Sequence, residues 1–518
     1  MSWGGGYVTE VPYTYGYYQH LSPQSIELCL TYQGIRSVPW RQGFTYCELA
    51  CGHGVTAAIL AALHPEGKFY VMDFNPSHIH YLAELTKAAK LTNLHYLDAS
   101  FAQYVERDDL PEFDYISAHG IYSWASAENR QHIRRIIDKK LKIGGIVSIS
   151  YNALPGWAQI APIQYFMNYY RHQEATGDLF AKLQKAIEYL NQIQTNRGMF
   201  MNSDVIKARY ESIKKQNPFY LIHEYFNSDW HPLYSSQVME EMAEVKLQYV
   251  GSANLIENIP QLNLSQEAYN HINSLSNVKM KELAKDFYLN TQFRRDLYVK
   301  GIIPLSLAEK QTWLNETRFT LTKNQENFQW KCHQGMLHVH LPPEKYEPIL
   351  EAIATQNGTA KDIFNHIKAK DPELEFPSFW ERIFNLVSLN YIYPKTVKPR
   401  NLSSCRNFNE AVLKRVCFGK EITYLAAPFL YTALFVNYLQ LLFISWEHNG
   451  KQKPLHEYVI EVMRSNNLSL ANDEGKRLDK PSEQIELLEH KYQEFSKTNK
   501  TLLEKAGVLE FLNTKQPK

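Results

Sequence analysis

The sequence predicts an α/β protein. It has a Rossmann-like core on a mostly parallel, seven-stranded sheet, a helical insertion, and mostly helical, winged-helix-like C-terminal domains. Three observations predict it. Short apolar runs alternate with helical patterns over residues 44–151, as parallel strands covered by helices on both faces require. A glycine-containing loop, Ala50-Cys51-Gly52-His53-Gly54, stands where the first such run gives way to a helix. At 518 residues the chain also exceeds what one hydrophobic core organises, so about three domains are expected.

The strands are predicted at 44–49, 68–73, 94–98, 113–119 and 146–151, with helices at 55–63, 77–90 and 128–140 between them. Asn75 is placed as the N-cap of the second helix, with Pro76 at its first position. Residues 158–216 lose the strand rhythm and read as a helical insertion. Strand character returns at 219–226 and at 247–256, after a helix at 235–243, which supplies the two strands a seven-stranded sheet still lacks. The expected core is therefore 1–157 with 217–262, followed by a helical segment over 263–326. Residues 327–400 read as winged-helix-like: strands at 328–331 and 336–340, helices at 345–355, 360–368 and 378–387, then Tyr391-Ile392-Tyr393-Pro394. Residues 401–518 read as mostly helical, with a helix at 483–504 behind Ser482 and an extended end at 507–512.

Charge is balanced, 55 basic against 54 acidic side chains, so the total does not favour a polyanionic partner. The predicted helix at 377–389 mixes Glu381 with Arg382 and has no basic face, and no nucleic-acid partner is expected. Cys29, Cys47, Cys51, Cys332, Cys405 and Cys417 lack metal-ligand spacing; they read as free thiols in a reducing compartment, with no metal site. The first 20 residues have neither a basic nor an apolar leader region, so a cytoplasmic protein is expected. Residues 422–446 carry no charge for 25 positions, but Pro428, Asn437 and Gln440 are costly at a bilayer centre. A buried helix, not a membrane span, is expected there.

Chemistry concentrates around the loop. Glycines let the backbone pass close to a bound nucleoside and amino acid, and amides at a helix N-terminus face a carboxylate. Asp73 ends the second strand, where a carboxylate accepts both hydroxyls of a ribose, and Asp98-Ala99-Ser100 ends the third, in position for an adenine edge. Alone, Asp73 reads equally as a turn or cap residue; in register with the loop and Asp98 it reads as ligand-binding. A dinucleotide oxidoreductase needs a further glycine three residues after the second one, and Ala57 stands there. Glu48 instead suits S-adenosylmethionine (AdoMet), orienting the loop and the sulfonium amino acid. The candidate cofactor residues are Glu48, Ala50, Cys51, Gly52, Gly54, Asp73, Phe74, Asp98, Ala99, Ser100 and His119.

The motifs Glu48 to Gly54, Phe113 to Trp124 and Ser150 to Trp157 resemble those of class I AdoMet-dependent methyltransferases with a methyltransferase regulatory domain, a bacterial family. His223-Glu224-Tyr225-Phe226, Pro232-Leu233-Tyr234 and Gln292-Phe293-Arg294-Arg295 fit it too, so the resemblance covers about residues 7–300. It includes rickettsial protein-lysine methyltransferases acting on outer-membrane proteins, and it implies AdoMet as cofactor and a protein lysine as the acceptor. Two positions depart from the pattern: Ala50 replaces the first loop glycine, a turn alanine keeps if its φ is negative, and His53 replaces a frequent aspartate.

Methyl transfer from a sulfonium is an in-line displacement, so positioning of the acceptor is the main task. Candidate acceptor-side residues are Tyr13 and Tyr17 in an N-terminal lid that also holds Tyr15 and Tyr18, Tyr122 and Trp124 after the fourth strand, and Asn152 and Trp157 after the fifth. His223 and Glu224 read as a buried polar pair on a strand. Methylation of a small molecule and a catalytically silent AdoMet-binding interaction protein stay open as alternatives.

Overall fold

A computed structural model describes Gly4 and residues 6–323, 328–334, 337–419, 421–472 and 474–510, with 332–334 and 337–338 described by backbone alone. One sheet carries β1 (Phe44–Leu49), β2 (Gly67–Asp73), β3 (Leu94–Asp98), β4 (Phe113–Ala118), β5 (Leu141–Asn152), β6 (Gln248–Ser252) and β7 (Phe293–Val299), in the order β3-β2-β1-β4-β5-β7-β6. The first five are mutually parallel, and β7 runs antiparallel between β5 and β6. Strand order reverses between β1 and β4, so both of these strands end at the switch point where open α/β sheets bind ligands.

Helix α1 (Pro23–Tyr32) precedes the sheet, and α2 (Val55–Leu63), α3 (Pro76–Ala88), α4 (Phe101–Val105) and α5 (Ala127–Lys140) lie between its strands. The Asn75 side chain does cap α3, accepting from the Ser77 N–H, with Pro76 at the first position. All nine residues of α2 are buried, which explains a sequence apolar all round. One side of α2 meets the sheet; on the other, Asn401 Nδ2 donates to the Leu63 carbonyl and Ser404 Oγ to that of Ala62, both at 2.6 Å. The C-terminal half is thus docked on the core.

The insertion is helical as expected: α6 (Ala161–Gln173), α7 (Leu179–Thr195) and α8 (Asp204–Lys214). The next segment differs from the expectation. Residues 219–226 belong to a helix, α9 (Pro218–Phe226), followed by α10 (Ser235–Ala243). Pro218 opens α9, Asn217 caps it by accepting from the Phe219 N–H at 2.8 Å, and Leu221, Ile222, Tyr225 and Phe226 bury one face at helical spacing. Aromatic content alone imitated a strand there. The missing strand is β7, in a stretch expected to be helical, so the sheet closes past residue 262. Its charged run, Arg294-Arg295-Asp296, hides a strand pattern. Arg294 is nonetheless buried, bonded to Asp296 (2.9 Å), Asp286 (2.7 Å) and Glu282 (2.9 Å).

In the C-terminal half, strand Arg318–Leu321 pairs antiparallel with Ile392–Lys395, and Lys331–Gln334 with Leu337–His340, around helices Pro343–Thr355, Ala360–Lys368 and Phe376–Ser388. The expected strand residue Met336 lies outside the described residues, as does the side chain of Cys332. The uncharged stretch 422–446 is not one helix: it forms a hairpin, Tyr424–Ala427 with Thr432–Phe435, and then the helix Tyr438–His448 capped by Asn437. Pro428, which cannot donate within a helix, sits in the hairpin turn. No helix among the described residues is long and apolar enough to cross a membrane. The last long helix is Pro481–Lys497, with Lys480 rather than Ser482 at the cap position. Residues 507–510 continue as a turn after the helix Asn499–Lys505 instead of an extended end, and 511–512 lie outside the described residues.

Candidate functional site

β1 delivers the loop to the switch point. Ala50, Gly52 and Gly54 all take left-handed backbone, at φ 54°, 55° and 65°. Ala50 therefore departs from the negative φ its side chain prefers, a strain of about 1–2 kcal/mol. A side chain at Gly54 would also strike Leu82, whose Cδ2 lies 2.6 Å from the Cβ position. The loop is bound from β2: the Asp73 carboxylate accepts from the Gly52 N–H (2.8 Å), the Asn75 N–H (2.9 Å) and His78 Nδ1 (3.2 Å). Glu48 is buried, and its Oε2 has no hydrogen-bond partner among the described residues. Burial, reinforced by the charge of Asp73, pushes its carboxyl up to about 8.

These groups line a cavity of about 460 Å³ that continues past the ends of β4 and β5. At the β4 end, Ser150 Oγ accepts from the Gly120 N–H and shares a hydrogen bond with His119 Nδ1, both at 2.7 Å. His20 Nε2 lies 3.2 Å from the same nitrogen. At the β5 end, the Asn152 N–H donates to Ser123 Oγ at 3.0 Å, and Asn152 Nδ2 donates to Glu224 Oε1 at 3.1 Å. Burial raises the Glu224 carboxyl to about 7, a rise limited by hydrogen bonds from Asn152 and Tyr220.

A strap of extended chain, residues 7–18, covers the cavity. Its backbone is bound by side chains from three directions: the Val8 N–H donates to Asn227 Oδ1 (2.8 Å), His223 Nε2 to the Val11 carbonyl (2.9 Å), and the Tyr18 N–H to Thr56 Oγ1 (3.1 Å). Tyr15 packs against His53 with ring centres 4.2 Å apart, and Tyr18 against His119 at 3.9 Å, both at a tilt. Burial pushes His53 and His119 down to about 3 and His223 to about 4, and holds His20 well below its usual range; these four rings are neutral. The carboxyls of Glu48, Asp73 and Glu224 line the same space, and the guanidinium of Arg295, also in the wall, is paired with Glu257 at 2.9 Å.

Of the sequence-derived candidates, Glu48, Ala50, Cys51, Gly52, Gly54, Asp73, Phe74, His119, Tyr13, Tyr17, Trp124 and Asn152 line this cavity. Tyr17 is among the lining residues, and its hydroxyl bonds Thr432 Oγ1 at 2.9 Å. Asp98, Ala99 and Ser100 are not brought to the wall; Ser100 is engaged in capping α4 with Gln103. Tyr122 points away, fully buried under the sheet, with its hydroxyl on Glu241 and Arg134. Trp157 packs in the insertion's own core, edge-on to Trp230 at 5.1 Å and under Arg209. Reasoning on sequence placed Glu224 and His223 on a strand and left Tyr7, Tyr220 and His78 unmentioned. Helical spacing over 218–226 is the signal that places Tyr220, His223 and Glu224 on neighbouring turns of one helix.

A family model described as a methyltransferase domain matches residues 47–147, and one described as a predicted methyltransferase regulatory domain matches 217–300. An uncharacterized protein of Synechocystis sp. is 35% identical over 512 residues, covering 98% of this chain and all of the relative. The chain belongs to the AdoMet-dependent methyltransferases that carry this regulatory domain. An uncharacterized protein of Rickettsia prowazekii is 26% identical to this methyltransferase over 290 residues, 56% of the chain and 51% of the relative. In fold, the methyltransferase is similar to PKMT2 from Rickettsia typhi, with a TM-score of 0.69 at 19% identity, covering 96% of this chain and 99% of that one. Against the same protein in complex with AdoHcy the TM-score is 0.66 at 18% identity, covering 96% and 98%. The regulatory-domain match holds α9, α10, β6 and β7, so that domain supplies two strands of the sheet as well as Glu224.

Proposed function

We propose that this methyltransferase transfers the methyl group of AdoMet to a lysine side chain of a protein. One observation carries the reading: the cavity combines three buried carboxyls with neutral imidazoles, and the one guanidinium in its wall among the described residues is already paired. Such a space favours cations over anions. Both partners in lysine methylation bring positive charge, a sulfonium with an α-ammonium on one side and an alkylammonium on the other. Aromatic rings of Tyr7, Tyr13, Trp124 and Tyr220 in the wall suit cationic groups as well. The fold likeness to Rickettsia typhi PKMT2 agrees with a protein acceptor.

AdoMet supplies a methyl group already activated on sulfur, so this chain's residues have to hold, orient and exclude water. Glu48 Oε2, buried without a partner among the described residues, fits the α-ammonium. The amides opening α2 beyond Gly54 fit the carboxylate. Asp73 fits the ribose. Phe74, Ala50, Cys51 and Gly52 complete that wall. The other end, from His119 through Trp124 to Asn152 under Tyr13, is left for the acceptor.

The test is incubation with methyl-labelled AdoMet and a bacterial lysate, separation of proteins from small molecules, and location of the label by mass spectrometry. Label on lysine is the expected result. Label in small molecules alone overturns the reading.

A further inference from the structure

We propose that Glu224 is the catalytic base of this enzyme, taking the proton from the acceptor's ammonium before the amine attacks. The inference rests on the lysine reading above and adds the residue that readies the acceptor. An alkylammonium with an ordinary pKa of about 10.4 is almost wholly protonated at neutral pH and has no lone pair to donate. A base is needed within hydrogen-bond reach. Among the three carboxyls of the cavity, Glu48 and Asp73 stand at the ends of β1 and β2, on the loop side. Glu224 stands at the end of β5, on the far side of the switch point from β2. Neighbouring strands are about 4.8 Å apart, so β2 and β5 are separated by roughly 14 Å, enough for a donor on one side and an acceptor on the other.

The surroundings of Glu224 suit the task. Asn152 Nδ2 and Tyr220 hydrogen-bond its carboxyl, holding its orientation. From the strap, Tyr7 and Tyr13 face it; from α9 itself come Tyr220, His223 and Tyr225; from α8 comes Arg209, the only cation whose field reaches it among the described residues. The tyrosines are all raised by burial and stay protonated, and His223 is neutral, so no neighbour competes for the proton near neutrality. Burial brings the carboxyl to about 7, where a base is both ionised and able to hold a proton. In the step, one N–H bond of the ammonium breaks, its electron pair stays on nitrogen, and the proton joins a Glu224 oxygen. The amine then forms the N–C bond as the C–S bond breaks with its pair left on sulfur, and Glu224 returns its proton to water.

The experiment compares the full-length enzyme with Glu224→Gln and Glu224→Asp, measuring label incorporation into lysine of bacterial proteins across pH, together with AdoMet affinity by calorimetry. Expected is a rate loss of about a hundred-fold or more in Glu224→Gln, partial rescue in Glu224→Asp, and loss of the limb that rises through about pH 7. AdoMet affinity is expected to be unchanged, and infrared difference spectra of the free enzyme to show a carboxyl titrating near 7 that the variant lacks. An unchanged pH profile in Glu224→Gln, or a fall in AdoMet affinity that matches the loss of rate, overturns the proposal. Label on a hydroxyl or thiol, with the limb near pH 7 still lost in the variant, overturns the lysine reading and leaves Glu224 as the base.

Discussion

Glu48 offers a sharp test of the donor side. Its carboxyl is buried beside Asp73, Oε2 has no partner among the described residues, and its proton is held up to about pH 8. Replacing it by Gln keeps the shape and removes the charge. If Oε2 receives the α-ammonium of AdoMet, the variant loses one hydrogen bond between charged groups, about 1.5–3 kcal/mol, so affinity is expected to fall about ten- to 150-fold. Binding also carries a proton signature. Near pH 7 the free enzyme holds the Glu48 proton and the complex does not, so calorimetry in buffers of different ionisation enthalpy is expected to register proton release for the wild type and less for Glu48→Gln. Stability moves in the opposite sense. An unfolded carboxyl ionises near its model value of 4.5 and the folded one near 8, so the folded state binds the extra proton between those values. Stability therefore declines as pH rises through that window, and Glu48→Gln flattens the decline in urea unfolding. Unchanged AdoMet affinity and unchanged proton release in the variant would refute the assignment.

Three further outcomes are expected. Ala50→Gly relieves left-handed strain of about 1–2 kcal/mol while adding about 0.4–1 kcal/mol of freedom to the unfolded chain, a net gain of about 0.5–1 kcal/mol by urea unfolding; destabilisation would show that the alanine is not strained. Tyr122→Phe removes the hydroxyl on Glu241 and lowers stability by about 1–2 kcal/mol, while kcat and KM stay within about two-fold because the ring lies outside the cavity; a selective loss of kcat would put Tyr122 back in the acceptor site. Thr432→Val leaves the buried Tyr17 hydroxyl without its side-chain partner, a penalty of about 1–3 kcal/mol, and AdoMet dissociation measured by label chase is expected to quicken; an unchanged rate would show that the strap is held elsewhere.

The sequence carried the first half of the sheet well. Each of β1 to β5 is an apolar run ended by a turn or cap signal, and Asn75-Pro76 marked α3 to the residue. It misled where local composition and tertiary environment disagree. Residues 218–226 are rich in aromatic side chains, yet a proline start and an asparagine cap make them helical. β7 holds three consecutive charges in a buried strand, tolerable only because Arg294 meets carboxylates from Glu282 and Asp286, partners that local pattern does not reveal. The same limit governs the site. Loop glycines, Asp73 and His119 follow strand ends and are readable from order alone. Glu224 enters from a helix about 70 residues beyond Asn152, and only the fold brings them to 3.1 Å.

The strap shows how the C-terminal half acts on a site it does not line with reacting groups. Residues 7–18 read as too polar for a core element, and they are indeed not one; their backbone is satisfied by side chains from α2, α9 and the loop after it. Their rings are held from the other side. Tyr17 bonds Thr432 in the C-terminal hairpin, 415 positions away, and Tyr15 packs on Tyr81, whose hydroxyl donates to Glu421 at 2.9 Å beneath Arg415. The roof over the cavity is thus fastened to two C-terminal anchors. Because α2, which opens at the glycine loop, is itself clamped by Asn401 and Ser404, roof and floor share one support. Three carboxyls lie under this roof, so a cationic ligand held beneath it is expected to stabilise the covered arrangement, and the covered arrangement to strengthen its binding. That coupling gives the large C-terminal half a physical role in catalysis through position alone.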